Sequence, residues 1–179
     1  IEPNGSFASD WRGIEEFKHD DLADVIAHYF VLEHIPNPLK FLNECNRLLK
    51  INGIMIIEVP DIEIYPDDPV ALYLHEHQSH FSLNSLHFLA AKAGFIMIGS
   101  DKRSSRSFGM TAVFRKESEV KNVLEVTRQT LPAEYAINKK LFLSGLVKVN
   151  QFNDNLSRAK QFIENASGDV ILWGANQNM

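Results

Sequence analysis

Apolar residues come in short continuous runs separated by stretches with helical spacing. Residues 23–29, ADVIAHY, are β-branched and apolar with too little alternation for a strand exposed on one face. Residues 53–60, GIMIIEVP, form a second such run that ends at a proline. Between them, apolar residues from Leu39 to Leu49 repeat at helical spacing, and Asn52-Gly53 is expected to end this helix. Residues 22–60 are therefore predicted to form a βαβ unit whose parallel strands are covered on both faces.

The next part of the chain predicts another helix and a closing pair of strands. Ser82 is a suitable N-cap for an amphipathic helix, and Gly94 is placed to follow its last turn. Apolar runs at 95–98 and 110–114 are separated by a polar segment. The predicted fold class is α/β, with a mainly parallel sheet, an antiparallel edge and a domain end near Lys116.

The pattern changes after the predicted sheet. Residues 117–166 show only helical periodicity, and Pro132 is expected to separate two helices. Residues 167–179 begin a new buried strand and a glycine turn, as a second α/β unit would. The predicted division is a partial domain over 1–116, a helical segment over 117–166 and the start of a C-terminal unit over 167–179.

Composition excludes several classes of protein. The 179 residues are 45% hydrophobic, which is enough for a core, and the net charge of −5 without a basic run argues against nucleic acid. No apolar stretch approaches the roughly 20 residues that span a bilayer. The single Cys45 fits a reducing compartment, so we expect a soluble, cytoplasmic protein. Because the chain opens with Ile1 rather than methionine, we also expect a fragment.

Four motifs carry a family resemblance. In order, ADVIAHY, VLEHIPNP, RLLK and NGIMIIEVPD resemble the second half of a class I S-adenosylmethionine-dependent methyltransferase. HEHQSHFSLNSLHFLAAKAGF is similar to the segment after that family's fifth strand, and the C-terminal part looks like that of sugar C-methyltransferases. The resemblance implies a Rossmann-like fold, S-adenosylmethionine as cofactor and a small-molecule acceptor, for example a keto-deoxy sugar nucleotide. The family's first strand and glycine-rich loop are missing, so this chain is expected to bind the donor poorly.

The resemblance also implies cofactor-binding residues near the N-terminus. Glu2 matches the acidic residue that accepts hydrogen bonds from the ribose hydroxyls, and Asp10 matches an acidic residue near the adenine. A helix and a strand should lie between these two positions in a complete fold. Either a segment is absent there, or one of the two assignments is wrong.

The candidate catalytic residues follow the predicted parallel strands. Ligands bind open α/β sheets at the carboxyl ends of the strands, which places Glu33 and His34 towards a substrate. His34 is the candidate base or positioning group, or it caps a strand-to-helix corner. The resemblance to sugar C-methyltransferases adds Glu76 and His77, where His34 or His77 would remove a proton and Glu76 would orient or tune the base.

Two alternative functions remain open. His75, His77 and His80 form an H-x-H-x-x-H pattern that resembles a metal site and would suit a metal-dependent hydrolase. The family resemblance already accounts for this segment, so we predict no metal site. The second alternative is a noncatalytic interaction module, which would keep the fold and associate through its helical segment. Phe142 and Phe152 in that segment are expected either to pack or to form the face of a homodimer.

Overall fold

Seven main helices and strands make up the part of the chain that can be described. The computed structural model describes residues 22–69, 72, 74–102, 109–118, 121–165 and 167, and for 121–131 it describes the backbone alone. The elements in chain order are β1 (Ala23–Tyr29), α1 (Pro38–Leu48), β2 (Leu49–Pro60), α2 (Leu83–Lys92), β3 (Phe95–Asp101), β4 (Gly109–Lys116) and α3 (Lys121–Glu164). Short 3-10 turns lie at Leu32–His34 and Ile62–Ile64.

The strands form one mixed sheet in the order β1-β2-β4-β3. β1 pairs with β2 in parallel, whereas β4 runs antiparallel to both β2 and β3. Three strands therefore point in one direction and β4 alone points in the other, which confirms the predicted α/β, mainly parallel class. The antiparallel strand lies one position inside the edge. Met110, Ala112 and Phe114 of β4 are buried, as suits an inner strand, while the end of β3 is exposed.

The helix α1 begins as predicted but ends earlier. The Asn37 side chain accepts a hydrogen bond from the Lys40 amide at 3.0 Å, and Pro38 occupies the first helical position. The prediction that Asn52-Gly53 ends this helix was wrong, because β2 already begins at Leu49. Lys116 Nζ donates to the carbonyls of Asn46 and Leu49, each at 2.7 Å, so a side chain from β4 satisfies the helix end.

The core lies between the sheet and the helices α1 and α2. Met55, Ile57 and Val59 of β2 are fully buried in one cluster with residues of both helices. In β1 only His28 is buried, and Val25 is 54% exposed. The prediction that both faces of β1 are covered was wrong for the described chain, in which β1 lies at an edge of the sheet and only one of its faces meets α1.

Residues at the two ends of helix α2 determine where it begins and where it stops. The Ser82 hydroxyl accepts a hydrogen bond from the Ser85 amide, and the Ser85 hydroxyl accepts one from the Ser82 amide. Together the two bonds form a capping box. Gly94 follows the last turn with φ of +88°, a left-handed conformation that glycine adopts without strain. Both predicted ends of this helix are therefore confirmed.

The helix α3 is continuous over 44 residues and contains Pro132. The prediction that Pro132 separates two helices was wrong, because a proline removes one backbone hydrogen bond and bends a helix without necessarily ending it. Leu141 and Phe142 pack against the buried cluster of Ile62 and Tyr65, and Asn138 donates to Ser82 Oγ at 3.1 Å. The middle of α3 is thus attached to the sheet domain, whereas residues 151–165 are exposed.

Two further predictions meet the described structure only in part. Residues 168–179 lie outside the described residues, so the second α/β unit and the three-part division of the chain stay predictions. Phe142 packs as expected, while Phe152 is 50% exposed. Within the described ranges, no helix combines the length and the apolar character needed to cross a bilayer.

Candidate functional site

The Glu33-His34 pair lies at the carboxyl end of β1, as predicted. Phe30 leaves the strand with φ of +53°, in the left-handed region, while its amide donates to the Glu58 carbonyl of β2 at 2.8 Å. The chain then forms the 3-10 turn Leu32–His34, closed by a bond from the His34 amide to the Val31 carbonyl at 3.0 Å. This turn presents two titratable side chains at the edge where open α/β sheets bind ligands.

A second loop, residues 74–80, is joined directly to this turn. The amides of Gln78 and Ser79 both donate to the Glu33 carbonyl, at 2.8 and 3.1 Å, and Gln78 Nε2 donates to the His34 carbonyl at 3.3 Å. The loop therefore carries His77 to His34, with ring centroids 4.7 Å apart and an angle of 75° between the ring planes. The two predicted imidazoles meet although they are far apart in the chain.

Glu33 supplies a carboxylate beside these imidazoles. Its residue is 1% exposed, and its Oε1 lies 3.9 Å from His34 Nε2. Neither carboxylate oxygen forms a hydrogen bond with any other residue in the described ranges. Burial raises the pKa of Glu33 to about 7 and the negative charge of Glu58 adds to the rise, while the backbone amide of Glu33 opposes it. A buried carboxylate with a strongly raised pKa marks a candidate functional group.

Glu33, His34 and His77 form one compact cluster. One carboxylate oxygen and one nitrogen of each imidazole all lie within 4.8 Å of one another. The H-x-H-x-x-H pattern does not form a cluster of this kind. His75 is exposed, and His80 Nδ1 instead shares a 2.8 Å hydrogen bond with the Tyr65 hydroxyl.

The other predicted site residues lie apart from this cluster. The side chain of Glu76 is exposed and makes neither a hydrogen bond nor an ion pair with the described part of the chain. Glu2 and Asp10 fall outside the described residues, so their cofactor-binding roles stay predictions. The structure thus brings His34 and His77 together with Glu33 rather than with Glu76.

Tyr65 is a residue that sequence reasoning missed. It is fully buried behind the loop, and burial raises the pKa of its hydroxyl well above the usual range. Its ring contacts His80, and His80 in turn lies 5.1 Å from the ring of Phe142 on α3. Tyr65 follows β2 in a Pro- and Asp-rich segment, which gave no sign of a buried hydroxyl.

Comparison of the sequence with known protein families identifies the family of this chain. The model of a family described as a methyltransferase domain matches residues 4–98, more than half of the chain. The chain belongs to this family. The matched range of the methyltransferase domain includes the strands β1 and β2, the Leu32–His34 turn and the 74–80 loop, so all three residues of the cluster lie within it. Comparison with curated protein sequences gives no match.

Solved structures similar to the methyltransferase domain come from several organisms. One is a Haloferax volcanii protein assigned as a methyltransferase, in complex with the Trm112 methyltransferase activator (14% identity, TM-score 0.47, 54% of this chain and 55% of that chain covered). Another, from Galdieria sulphuraria, is assigned as a sarcosine dimethylglycine methyltransferase (20% identity, TM-score 0.45, 58% and 57% covered). A third is an S-adenosylmethionine-dependent methyltransferase from Clostridium acetobutylicum ATCC 824 (8% identity, TM-score 0.46, 60% and 63% covered). This chain covers a little more than half the length of the first two.

Proposed function

We propose that the protein transfers a methyl group from S-adenosylmethionine to a small-molecule acceptor, and that His34 or His77 takes a proton from that acceptor. One observation carries the proposal: two imidazoles meet at the carboxyl end of β1, with centroids 4.7 Å apart, in a chain of the methyltransferase family. Imidazole is the side chain best suited to exchange protons near neutral pH.

The carboxyl groups at the candidate site are compatible with a positively charged methyl donor. When bound, S-adenosylmethionine supplies an electrophilic methyl group on a positively charged sulfonium. Two carboxyl groups, Glu33 and Glu58, influence each other at this end of the β1–β2 pair, and a bound cation would favour the charged form of both. In the proposal, Glu2 and Asp10 hold the ribose and the adenine.

The imidazoles lie where an acceptor can reach them. The side chain of His34 is 29% exposed, and His77 is half-buried beside it. A carbon next to a keto group has an acidic hydrogen, and one imidazole nitrogen would take this proton as the carbon gains the methyl group. This chemistry makes a keto-deoxy sugar nucleotide the proposed acceptor. Glu76 is on the same loop as His77 and would tune the base after turning inward.

Donor binding is the first test. S-adenosylhomocysteine is titrated by calorimetry into this chain and into a version extended upstream to include a glycine-rich loop. Micromolar binding, about −8 kcal/mol, is expected in the extended protein, because that loop normally contacts the donor. If the extended protein is folded but shows no heat of binding, the cofactor assignment fails.

Proton removal is tested separately with the same extended protein. Keto-deoxy sugar nucleotides are incubated in D2O with S-adenosylhomocysteine, and mass spectrometry follows the exchange of the acidic hydrogen. The variants His34→Asn and His77→Asn should keep S-adenosylhomocysteine affinity, and at least one of them should lose exchange by about 100-fold or more. Full exchange in the double variant would contradict the role of both imidazoles.

A second candidate function is a noncatalytic interaction module. The second half of α3 favours it, since four of its large apolar side chains are about half exposed: Leu143, Val147, Phe152 and Leu156. Such a module would associate through α3, for example as a homodimer. It predicts a concentration-dependent mass in sedimentation and no S-adenosylhomocysteine binding by the folded, extended protein.

A further inference from the structure

We propose that Glu33, His34 and His77 form a binding site for a divalent transition-metal ion of the zinc type. Their ligand atoms, one from each residue, lie within 4.8 Å of one another at the carboxyl end of β1. The proposal goes beyond methyl transfer, and it combines His77 with Glu33 and His34 rather than with the other two histidines of the H-x-H-x-x-H pattern.

The distances are close to those of a metal centre. Three atoms no more than 4.8 Å apart leave a point within about 2.8 Å of all three, whereas zinc lies about 2.0–2.2 Å from nitrogen and oxygen ligands. An inward movement of less than about 1 Å by each side chain closes this difference. Glu33 Oε1 and His34 Nε2 are already 3.9 Å apart, near the roughly 3.4 Å between two ligands of a tetrahedral zinc ion.

The buried carboxylate is the second observation that points to a cation. Glu33 is 1% exposed, and neither of its carboxylate oxygens has a hydrogen-bond partner on another residue in the described ranges. A carboxylate removed from water without a donor is unfavourable, and a bound cation would compensate for that loss. Two imidazoles and one carboxylate are the ligands of zinc, cobalt and ferrous iron sites, whereas magnesium and calcium prefer oxygen ligands alone.

The backbone holds the two parts of the site together before any ion binds. The amides of Gln78 and Ser79 donate to the Glu33 carbonyl, so the loop that carries His77 is attached to the turn that carries the other two ligands. His80 is already hydrogen-bonded to the Tyr65 hydroxyl. Three protein ligands leave the fourth position of a tetrahedral ion available to water or a small molecule.

A metal ion and an acceptor proton would compete for the same nitrogen lone pairs. The metal-loaded protein is therefore expected not to take a proton from an acceptor, so zinc should inhibit the exchange reaction proposed above. Binding of S-adenosylhomocysteine does not involve these lone pairs. Failure of the metal proposal is thus distinguishable from failure of the methyltransferase proposal.

The test uses cobalt chloride and zinc chloride with the full chain. Cobalt titration is followed by its visible d–d absorption, which reports low coordination number and nitrogen ligands, and zinc should displace it. One ion per chain is expected. Glu33→Gln and His77→Asn should each weaken binding at least tenfold, because each removes one of three ligands.

A matched histidine variant separates this site from the sequence pattern. His75→Asn lies in the same loop but at an exposed position, and it should leave cobalt affinity unchanged. Circular dichroism checks that every variant is folded. Absence of saturable binding, loss of affinity in His75→Asn equal to that in His77→Asn, or unchanged affinity in Glu33→Gln would each overturn the proposal.

Discussion

Replacing His28 by leucine should reduce the loss of stability of this fold at acidic pH. His28 is on β1 and is 4% exposed, with its ring edge-on to Phe41 at a centroid distance of 5.3 Å. Neither ring nitrogen has a hydrogen-bond partner among the residues that the structure describes. Burial therefore disfavours the protonated ring and lowers the pKa of His28 to about 4.

The size of the effect follows from the two pKa values. The ordinary value is 6.5, so below that pH the unfolded chain binds a proton that the folded chain does not accept until about pH 4. Stability is therefore lost as the pH falls from 6.5 through 4. A difference of about 2.5 pH units corresponds to about 3 kcal/mol in the free energy of unfolding. Because His28 is almost fully buried, solvent screening reduces this figure little.

Urea unfolding at several pH values between 7 and 4 measures this effect. His28→Leu should be about 1 kcal/mol more stable than the wild type at pH 7, since it removes a buried polar group without partners. Towards pH 4 the advantage of the variant should grow by about a further 3 kcal/mol. The control is Val25→Leu, an exposed and non-titrating change on the same strand. It should change the free energy of unfolding by the same amount at every pH. If the free energy of unfolding of His28→Leu and of the wild type changes equally with pH, the claim that His28 is buried and neutral in the folded state is refuted.

Two further predictions concern the attachment of α3. Ser82→Ala should lower the free energy of unfolding by about 1–2 kcal/mol in urea, because it removes the N-cap of α2 and the acceptor of the Asn138 side chain. Ser157→Ala on exposed α3 is its control, and an equal loss there would contradict the capping role. Gly145→Ala should destabilise by about 1–2 kcal/mol although alanine favours helices, because its Cβ would lie 2.9 Å from the Tyr65 Cβ. A higher urea midpoint for Gly145→Ala would contradict this close packing.

Local signals were reliable where one segment contained all the information. Ser82 and Gly94 define both ends of α2 through bonds and dihedral angles within a few residues. The end of α1 was misplaced because Lys116, far away on β4, supplies the donors that satisfy its last carbonyls. The sequence pattern predicts a break at Pro132 because proline removes one backbone hydrogen bond, but the helical turns on both sides keep α3 continuous.

In the candidate site, too, some features follow from local sequence and others from the tertiary structure. The sequence by itself determined that Glu33 and His34 follow a parallel strand, since the apolar run of β1 and the proline-marked start of α1 are local patterns. Only the tertiary structure decided which partners they meet. Hydrogen bonds from Gln78 and Ser79 to the Glu33 carbonyl bring His77 to His34. Burial, a property of the whole fold, isolates the Glu33 carboxylate and raises its pKa, while Glu76, adjacent to His77 in the sequence, remains in solvent.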